Sequence, residues 1–455
     1  MELVAPAGNL DKLRYAYAYG ADTAYIGLKK FSLRVKADNF YEDEYKNIIE
    51  LKNANPGKRL FCALNIAFHN KDIENFLSDL DYFKKYPIDA FIIQDVGMIN
   101  ILKQNFPEAH IHISTQANCI NKHAVKFYRD LGINRVVLGR EAGLAEIREI
   151  KDFVPEMELE VFGHGAMCIA YAGRCLLSAY LTGRSANAGY CSHTCRWDYK
   201  LLEEKQRPGE YFPVWEGDDY TAILSSKDLC MIDHLAEMQK AGVDALKIEG
   251  RMKSLYYVAM VTRAYRKQID ALQGKITKEE AAPFVEELYK VAHREFATGF
   301  YFDRENADKT TAGESSSEYD LVGTIGEEID ADSLFAKIEQ NQKDDKAALD
   351  AMHPNELKAV LAARQAHSDE YIWPEKQAGY RVFVFNAMNK LDLGTELEFV
   401  GPELLGIKDK DYKFIDIDTG KVRTWVSHGH NCYIYTKSPV KQDFIVRIKN
   451  TGGKN

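Results

Sequence analysis

Gly20-Ala21-Asp22-Thr23-Ala24-Tyr25-Ile26-Gly27 joins a polar corner to a short apolar run, and its pattern returns three more times along the chain. It recurs as Ile88-Asp89-Ala90-Phe91-Ile92-Ile93-Gln94-Asp95, as Gly132-Ile133-Asn134-Arg135-Val136-Val137-Leu138-Gly139 and as Gly242-Val243-Asp244-Ala245-Leu246-Lys247-Ile248-Glu249. Each copy follows an amphipathic stretch, such as residues 10–19 or 124–131, and in three of the four a glycine stands where a helix would stop. The apolar runs are short and almost unbroken, which marks buried parallel strands rather than half-exposed ones.

Four further runs lie between these, at residues 2–6, 60–67, 110–116 and 159–163. Eight strands alternating with helices up to about residue 270 imply βαβ units, and eight over roughly 250 residues suit an α/β fold closed as a (β/α)8 TIM-like barrel. The alternative, an open doubly wound sheet, lacks a Gly-x-Gly-x-x-Gly after the first strand. Helical residues 254–272 and 279–294 precede a small, polar stretch at 310–317 that reads as a linker. The expected division is a barrel domain at 1–317 carrying the cysteines, an acidic linker or insert at 318–375, and a small β-barrel-like domain at 376–455. The last rests on alternation in 380–386, 396–400, 414–416 and 431–435.

At 455 residues, with 46% hydrophobic and 28% charged residues, the chain can bury a sizeable core. No apolar run approaches the roughly 18 residues of a membrane helix. Met1–Gly8 carries no basic region or cleavage pattern, so a cytoplasmic location is expected, where cysteines serve metals more often than disulfides. The net charge of −9 argues against a nucleic-acid partner only until it is located: residues 318–375 hold 14 acidic and 5 basic side chains, so the remainder is neutral. Residues 168–200 carry Arg174, Arg184, Arg196 and Lys200 against Asp198 alone, which allows a locally basic face.

Five of the eight cysteines, Cys168, Cys175, Cys191, Cys195 and Cys230, fall within 63 residues. The first pair follows the seventh predicted strand, at the barrel face where active sites are built. Thiolates select iron–sulfur clusters or zinc. Without Cys-x-x-Cys pairs the spacing leaves both open, beside unliganded cysteines. For Cys62, Cys119 and Cys432 the plain reading is core packing. Polar residues also gather at predicted strand ends: Asn65, Asp95, His112, Gln116, Arg140, Glu141, His164, Lys247, Glu249 and Arg251. A polar group in an apolar strand commonly costs about 1–3 kcal/mol unless paired, so either a polar pocket or ion pairs inside the barrel must account for them. His193, beside Cys191 and Cys195, admits a thiol–imidazole nucleophile. Gly-x-Ser-x-Gly and His-Glu-x-x-His motifs are absent.

Motifs along residues 1–325 resemble the collagenase-like peptidase U32 family. They are Glu2-Leu-Val-Ala-Pro-Ala-Gly-Asn9, Phe31-Ser-Leu-Arg34 with Ala37-Asp-Asn-Phe40, His112-Ile-Ser-Thr-Gln-Ala-Asn118 and Val161-Phe-Gly-His-Gly-Ala-Met-Cys168. Gly173-Arg-Cys175-Leu-Leu-Ser178, Tyr180-Leu-Thr-Gly183, Cys195-Arg-Trp197, Arg207-Pro-Gly-Glu-Tyr-Phe-Pro213, Ser226-Lys-Asp-Leu-Cys230 and Lys247-Ile-Glu-Gly-Arg-Met-Lys253 continue the series. Asn389-Lys-Leu-Asp-Leu-Gly394 is similar to the family's small β domain. The closest branch implies hydroxylation of a tRNA wobble uridine at C5, with prephenate as a cosubstrate. Sister branches imply a ribosomal cytidine or an aromatic ring as target. Relatives in ubiquinone synthesis hold a [4Fe–4S] cluster on four cysteines, which match Cys168, Cys175, Cys191 and Cys230; Cys195 has no counterpart among those relatives. The resemblance also leaves open a true peptidase, or a non-catalytic scaffold for RNA modification. Gly163 departs from the family's usual valine, and the insert at 332–374 has no counterpart.

Overall fold

Short apolar strands buried on both faces satisfy their backbone only by pairing with one another, and here they pair in chain order. The computed structural model describes residues 1–28, 30–33, 38–40, 43–168, 170–171, 173–197, 215–216, 221–222, 226–302, 315, 317–366 and 372–450. Arg34, Ala37, Asp198, Lys200, residues 207–213 and most of the linker at 310–317 lie outside them.

The barrel strands are β1 (Glu2–Pro6), β2 (Thr23–Ile26), β3 (Arg59–Leu64), β4 (Ala90–Ile93), β5 (His110–Ile113), β6 (Arg135–Val137), β7 (Glu158–Ala166) and β8 (Ala245–Ile248). Every neighbouring pair is parallel. The ring closes because β8 pairs with both β7 (Ala245 opposite Glu160) and β1 (Ala245 opposite Glu2). The protein is thus a TIM-like (β/α)8 barrel with a β-rich C-terminal unit. Local chemistry sets the helix ends: Asn9 Oδ1 accepts from Lys12 N–H (3.0 Å) and Asn121 Oδ1 from Ala124 N–H (3.0 Å). Gly242 ends the Leu235–Lys240 helix at φ +90°, where a Cβ would stand 2.5 Å from Lys151 Cγ.

The seventh unit departs from the regular pattern. After β7 the described residues of 167–197 form an excursion, and the chain rejoins the barrel through the short strand Asp228–Cys230, antiparallel to the end of β7 with Cys230 opposite His164.

Inside the barrel lies a buried ionic layer. Glu160 accepts from Arg135 Nη1 (2.9 Å) and Lys247 Nζ (2.7 Å), and Arg135 also pairs with Glu2 (2.6 Å) and Glu158 (2.6 Å). Burial pushes the Glu160 carboxyl up, but Lys247 and Arg135 outweigh it and hold it at about 2.

The chain divides at Ser316/Ser317. Residues 318–375, expected as a linker or insert, belong to the second unit. Strand Tyr319–Ile329 pairs with Arg381–Ala387 and Ile445–Lys449 inside an eight-stranded antiparallel sheet. Helix Ala331–Asp350 buries Leu334, Phe335 and Ile338 against Val382, Ile415 and Tyr435. Its many surface carboxylates mask that apolar stripe in the sequence. Among the described residues no helix is long and apolar enough to cross a membrane.

Candidate active site

Side chains at the C-terminal ends of seven barrel strands converge on one cavity of about 280 Å³. Four cations, Arg140, Lys247, Arg251 and Lys253, and one carboxylate, Glu249, line it. Arg140 lies over the Phe162 ring (4.1 Å to the centroid) with Nη2 3.8 Å from Glu249 Oε2. Its buried Nε has no hydrogen-bond partner among the described residues. Lys247 Nζ sits 4.4 Å from the centre of the Tyr25 ring while it holds Glu160 below. It therefore joins the ionic layer to the cavity floor. Tyr25 Oη and Tyr257 Oη donate to the carbonyls of Ile248 and Glu249 (both 3.0 Å) and set where β8 ends. Even with Lys247 paired to Glu160, cations outnumber carboxylates on the lining, which favours an anionic ligand.

The fourth wall is the excursion after β7. Cys168, Cys175, Cys191 and Cys195 all line the cavity. Gly173 seats this segment, since a Cβ there would land on the carbonyl oxygen of Gln116, another lining residue. Buried Ser178 then ties the segment together: Oγ donates to the Arg184 carbonyl (2.7 Å) and accepts from Ser192 N–H (3.1 Å). Thr182 Oγ1 reaches Ser192 Oγ (2.8 Å), and Asn187 Nδ2 donates to the Cys175 carbonyl (3.2 Å). Serine and threonine thus position the thiols.

Cys230 stands apart from this wall. Its Sγ lies 3.8 Å from Tyr265 Oη, which donates to the Gly163 carbonyl (2.7 Å) and accepts from Met231 N–H (3.1 Å). Burial pushes the Cys230 thiol up to about 11, so it stays protonated at neutral pH. Among the described residues no three His, Cys, Asp or Glu side chains stand close enough to hold a metal ion. In kind, several soft thiols on one cavity fit an iron–sulfur group. In position, three of the four expected ligands face the cavity and the fourth is turned to Tyr265.

The remaining candidates separate by depth. Gln116, Arg140, Lys247, Glu249 and Arg251 line the cavity, whereas His112, Glu141 and His164 do not. His112 packs edge-on to Phe61 (4.6 Å) inside the barrel; burial, then Arg135, hold it well below its usual pKa. Burial lowers His164 to about 3, among the rings of Tyr257, Tyr265 and Phe296. Both imidazoles are neutral at pH 7. Tyr25, Ser114 and Asn187 also line the cavity. None of the three carries a local signal that separates it from its neighbours: Tyr25 sits within β2, Ser114 just after β5 and Asn187 in the turn Ala186–Ala188. At Gly163 a Cβ would meet Leu246 Cδ1 at 2.5 Å, so Leu246 occupies the space that a valine would need.

Residues 8–311 match the family model for peptidase family U32. The chain is 40% identical over 342 residues to tRNA hydroxylation protein P of Escherichia coli, covering 66% of this chain and 74% of the relative. It is 34% identical over 303 residues to the 23S rRNA 5-hydroxycytidine C2501 synthase of Escherichia coli, covering 65% and 44%. A collagenase of Porphyromonas gingivalis is 31% identical over 312 residues, covering 66% and 73%. A match that spans most of the barrel unit places this chain in peptidase family U32.

Proposed function

We propose that this protein is a cytoplasmic RNA-modifying hydroxylase that converts C5–H of a tRNA wobble uridine to C5–OH. Prephenate would be its cosubstrate, and a [4Fe–4S] cluster would be held by Cys168, Cys175, Cys191 and Cys230. The observation that carries this reading is the pairing of a cation-lined cavity with a wall of thiols at the strand ends. The relatives named for tRNA hydroxylation and 5-hydroxycytidine synthesis supply the chemistry and the C5 position.

The reaction is a two-electron oxidation of the base, so an oxygen donor and an electron acceptor are co-reactants. A cluster held by these four thiols would supply redox chemistry, and Cys230 would have to leave its contact with Tyr265 to serve as a ligand. Arg140, Lys247 and Arg251 receive the two carboxylates of prephenate or a phosphate of the RNA. Glu249, the carboxylate on the cavity, takes the proton that leaves C5, with Arg140 beside it to stabilise the charge. Gln116 offers an amide to the uracil edge. His112 and His164, neutral and buried, support the walls.

The test is mass spectrometry of tRNA nucleosides from a strain lacking the gene, complemented by wild type or by Cys168→Ala. The hydroxylated uridine should vanish on deletion and return with wild type only. Reconstitution from purified components distinguishes an enzyme from a scaffold, which would leave the RNA unmodified. The collagenase relative favours a second reading, a peptidase using the thiol–imidazole neighbours His193 and Cys195. Collagen cleavage abolished by Cys195→Ala would establish it.

A further inference from the structure

The excursion after β7 displays aromatic rings to water. Between Cys168 and Trp197 it contains no Asp or Glu and three arginines, Arg174, Arg184 and Arg196, in a chain of net charge −9. Tyr171, Tyr180, Tyr190 and Trp197 are 57%, 85%, 48% and 45% exposed. Rings of this size normally stabilise a fold by leaving water, so four of them held outside within one short segment mark a binding surface. They are held in place, not adrift. The Trp197 indole N–H donates to the Ser192 carbonyl (3.1 Å), and the Ser178–Ser192–Thr182 bonds fix the helix Leu177–Thr182 that carries Tyr180. The surface is continuous with the cavity: Tyr171 lines it, as do Cys175, Ser178 and Cys191 of the same segment.

We propose that this collar docks an unpaired RNA loop. Bases stack on Tyr180, Tyr190 and Trp197, Arg174 and Arg184 meet the flanking phosphates, and Tyr171 stacks on the target base as it enters the cavity. The inference rests on the RNA-hydroxylation reading and adds to it the surface and the residues that dock the RNA. A pyrimidine inside a duplex cannot bring C5 into a cavity walled by a barrel and a 30-residue segment (Cys168–Trp197). A base in a loop can, because it is already unstacked. Aromatic stacking accepts any base, so the collar selects for single strands, while the cavity selects the target base. A segment with arginines and no acidic residue complements a phosphate backbone.

Fluorescence anisotropy of the full-length protein, with a labelled hairpin RNA and a fully paired duplex of equal length, tests this. Tyr180→Ala and Trp197→Ala should each weaken hairpin binding by about 5- to 150-fold, the range for one stacked base, and Tyr180→Phe should bind like wild type. Arg184→Ala should lower the slope of log affinity against log salt by about 1, and Tyr180→Ala should leave it unchanged. Thermal midpoints of the variants should match wild type, which separates lost docking from lost folding. If wild type binds the hairpin and the alanine variants bind it equally well, the collar is overturned and the RNA reading stands. If wild type binds no RNA, both fall. If sedimentation finds a wild-type dimer that Tyr180→Ala dissociates while RNA binding is unchanged, the surface belongs to a second copy and the proposal is wrong.

Discussion

Lys247→Met tests whether the ionic layer under the cavity is as tightly coupled as its geometry implies. Glu160 is fully buried and has two cationic partners, Lys247 at 2.7 Å and Arg135 at 2.9 Å. Removing one partner of a buried pair costs about 3–5 kcal/mol, because a charge is left without compensation. Arg135 remains in place, so the lower end, about 3 kcal/mol, is expected. An unfolding entropy of about 2.1 cal/mol/K per residue over the 316 residues of the barrel unit is roughly 0.66 kcal/mol/K. The expected fall in the barrel's midpoint is then about 4–5 °C, read by differential scanning calorimetry at pH 7. Lys247→Met/Glu160→Gln removes the stranded charge as well and should recover at least half of the loss. A fall below about 1 °C for the single variant, or a double variant less stable than the single one, refutes the coupling. Because Lys247 also lines the cavity, hydroxylation should stay lost in the double variant even where stability returns.

Other consequences can be measured independently. His164, lowered to about 3 by burial, must take up a proton on unfolding below its ordinary value of about 6.5. Stability is therefore complete above pH 6.5 and falls as the pH drops toward 3, by about 2 kcal/mol between pH 7 and 5. His112 acts in the same direction. Urea denaturation of His164→Phe should show a flatter pH profile, and an unchanged profile would contradict the burial. Gly163→Val forces a Cβ toward Leu246 and should destabilise by about 1–3 kcal/mol, relieved by Leu246→Ala; a neutral single variant would mean the strand yields. Protein purified without air should be brown, with about four iron and four sulfide per chain. Cys168→Ala, Cys175→Ala, Cys191→Ala and Cys230→Ala should each lose iron. A colourless zinc protein of full activity would overturn the cluster, and full iron in Cys230→Ala would leave that thiol to Tyr265.

Strand number and order were legible from residue patterns because they depend on local chemistry. The recurring corner at Asp22, Asn134 and Asp244, the apolar runs after it and the glycines at helix ends all act within a few residues of themselves. The gathering of Gln116, Arg140, Lys247, Glu249 and Arg251 on one cavity followed from the same logic, since each stands just at or beyond a strand's C-terminal end. Pairing across the barrel was not legible. Arg135 meets Glu2 and Lys247 meets Glu160 only after the ring closes, and nothing in the neighbourhood of either residue encodes so distant a partner. Likewise His112 and His164 have the same composition as catalytic histidines, and only depth of burial separates them from the cavity. The spacing of the cysteines marked a common region, but the direction of each thiol depends on contacts from elsewhere in the fold. Cys230 turns to Tyr265, a residue on the helix Leu255–Leu272, because strand pairing with His164 brings the two side chains together. Sequence by itself determined the barrel and its populated rim; tertiary structure alone decided which charges neutralise each other inside and which remain to meet a ligand, because electrostatic partnership is a matter of distance in space.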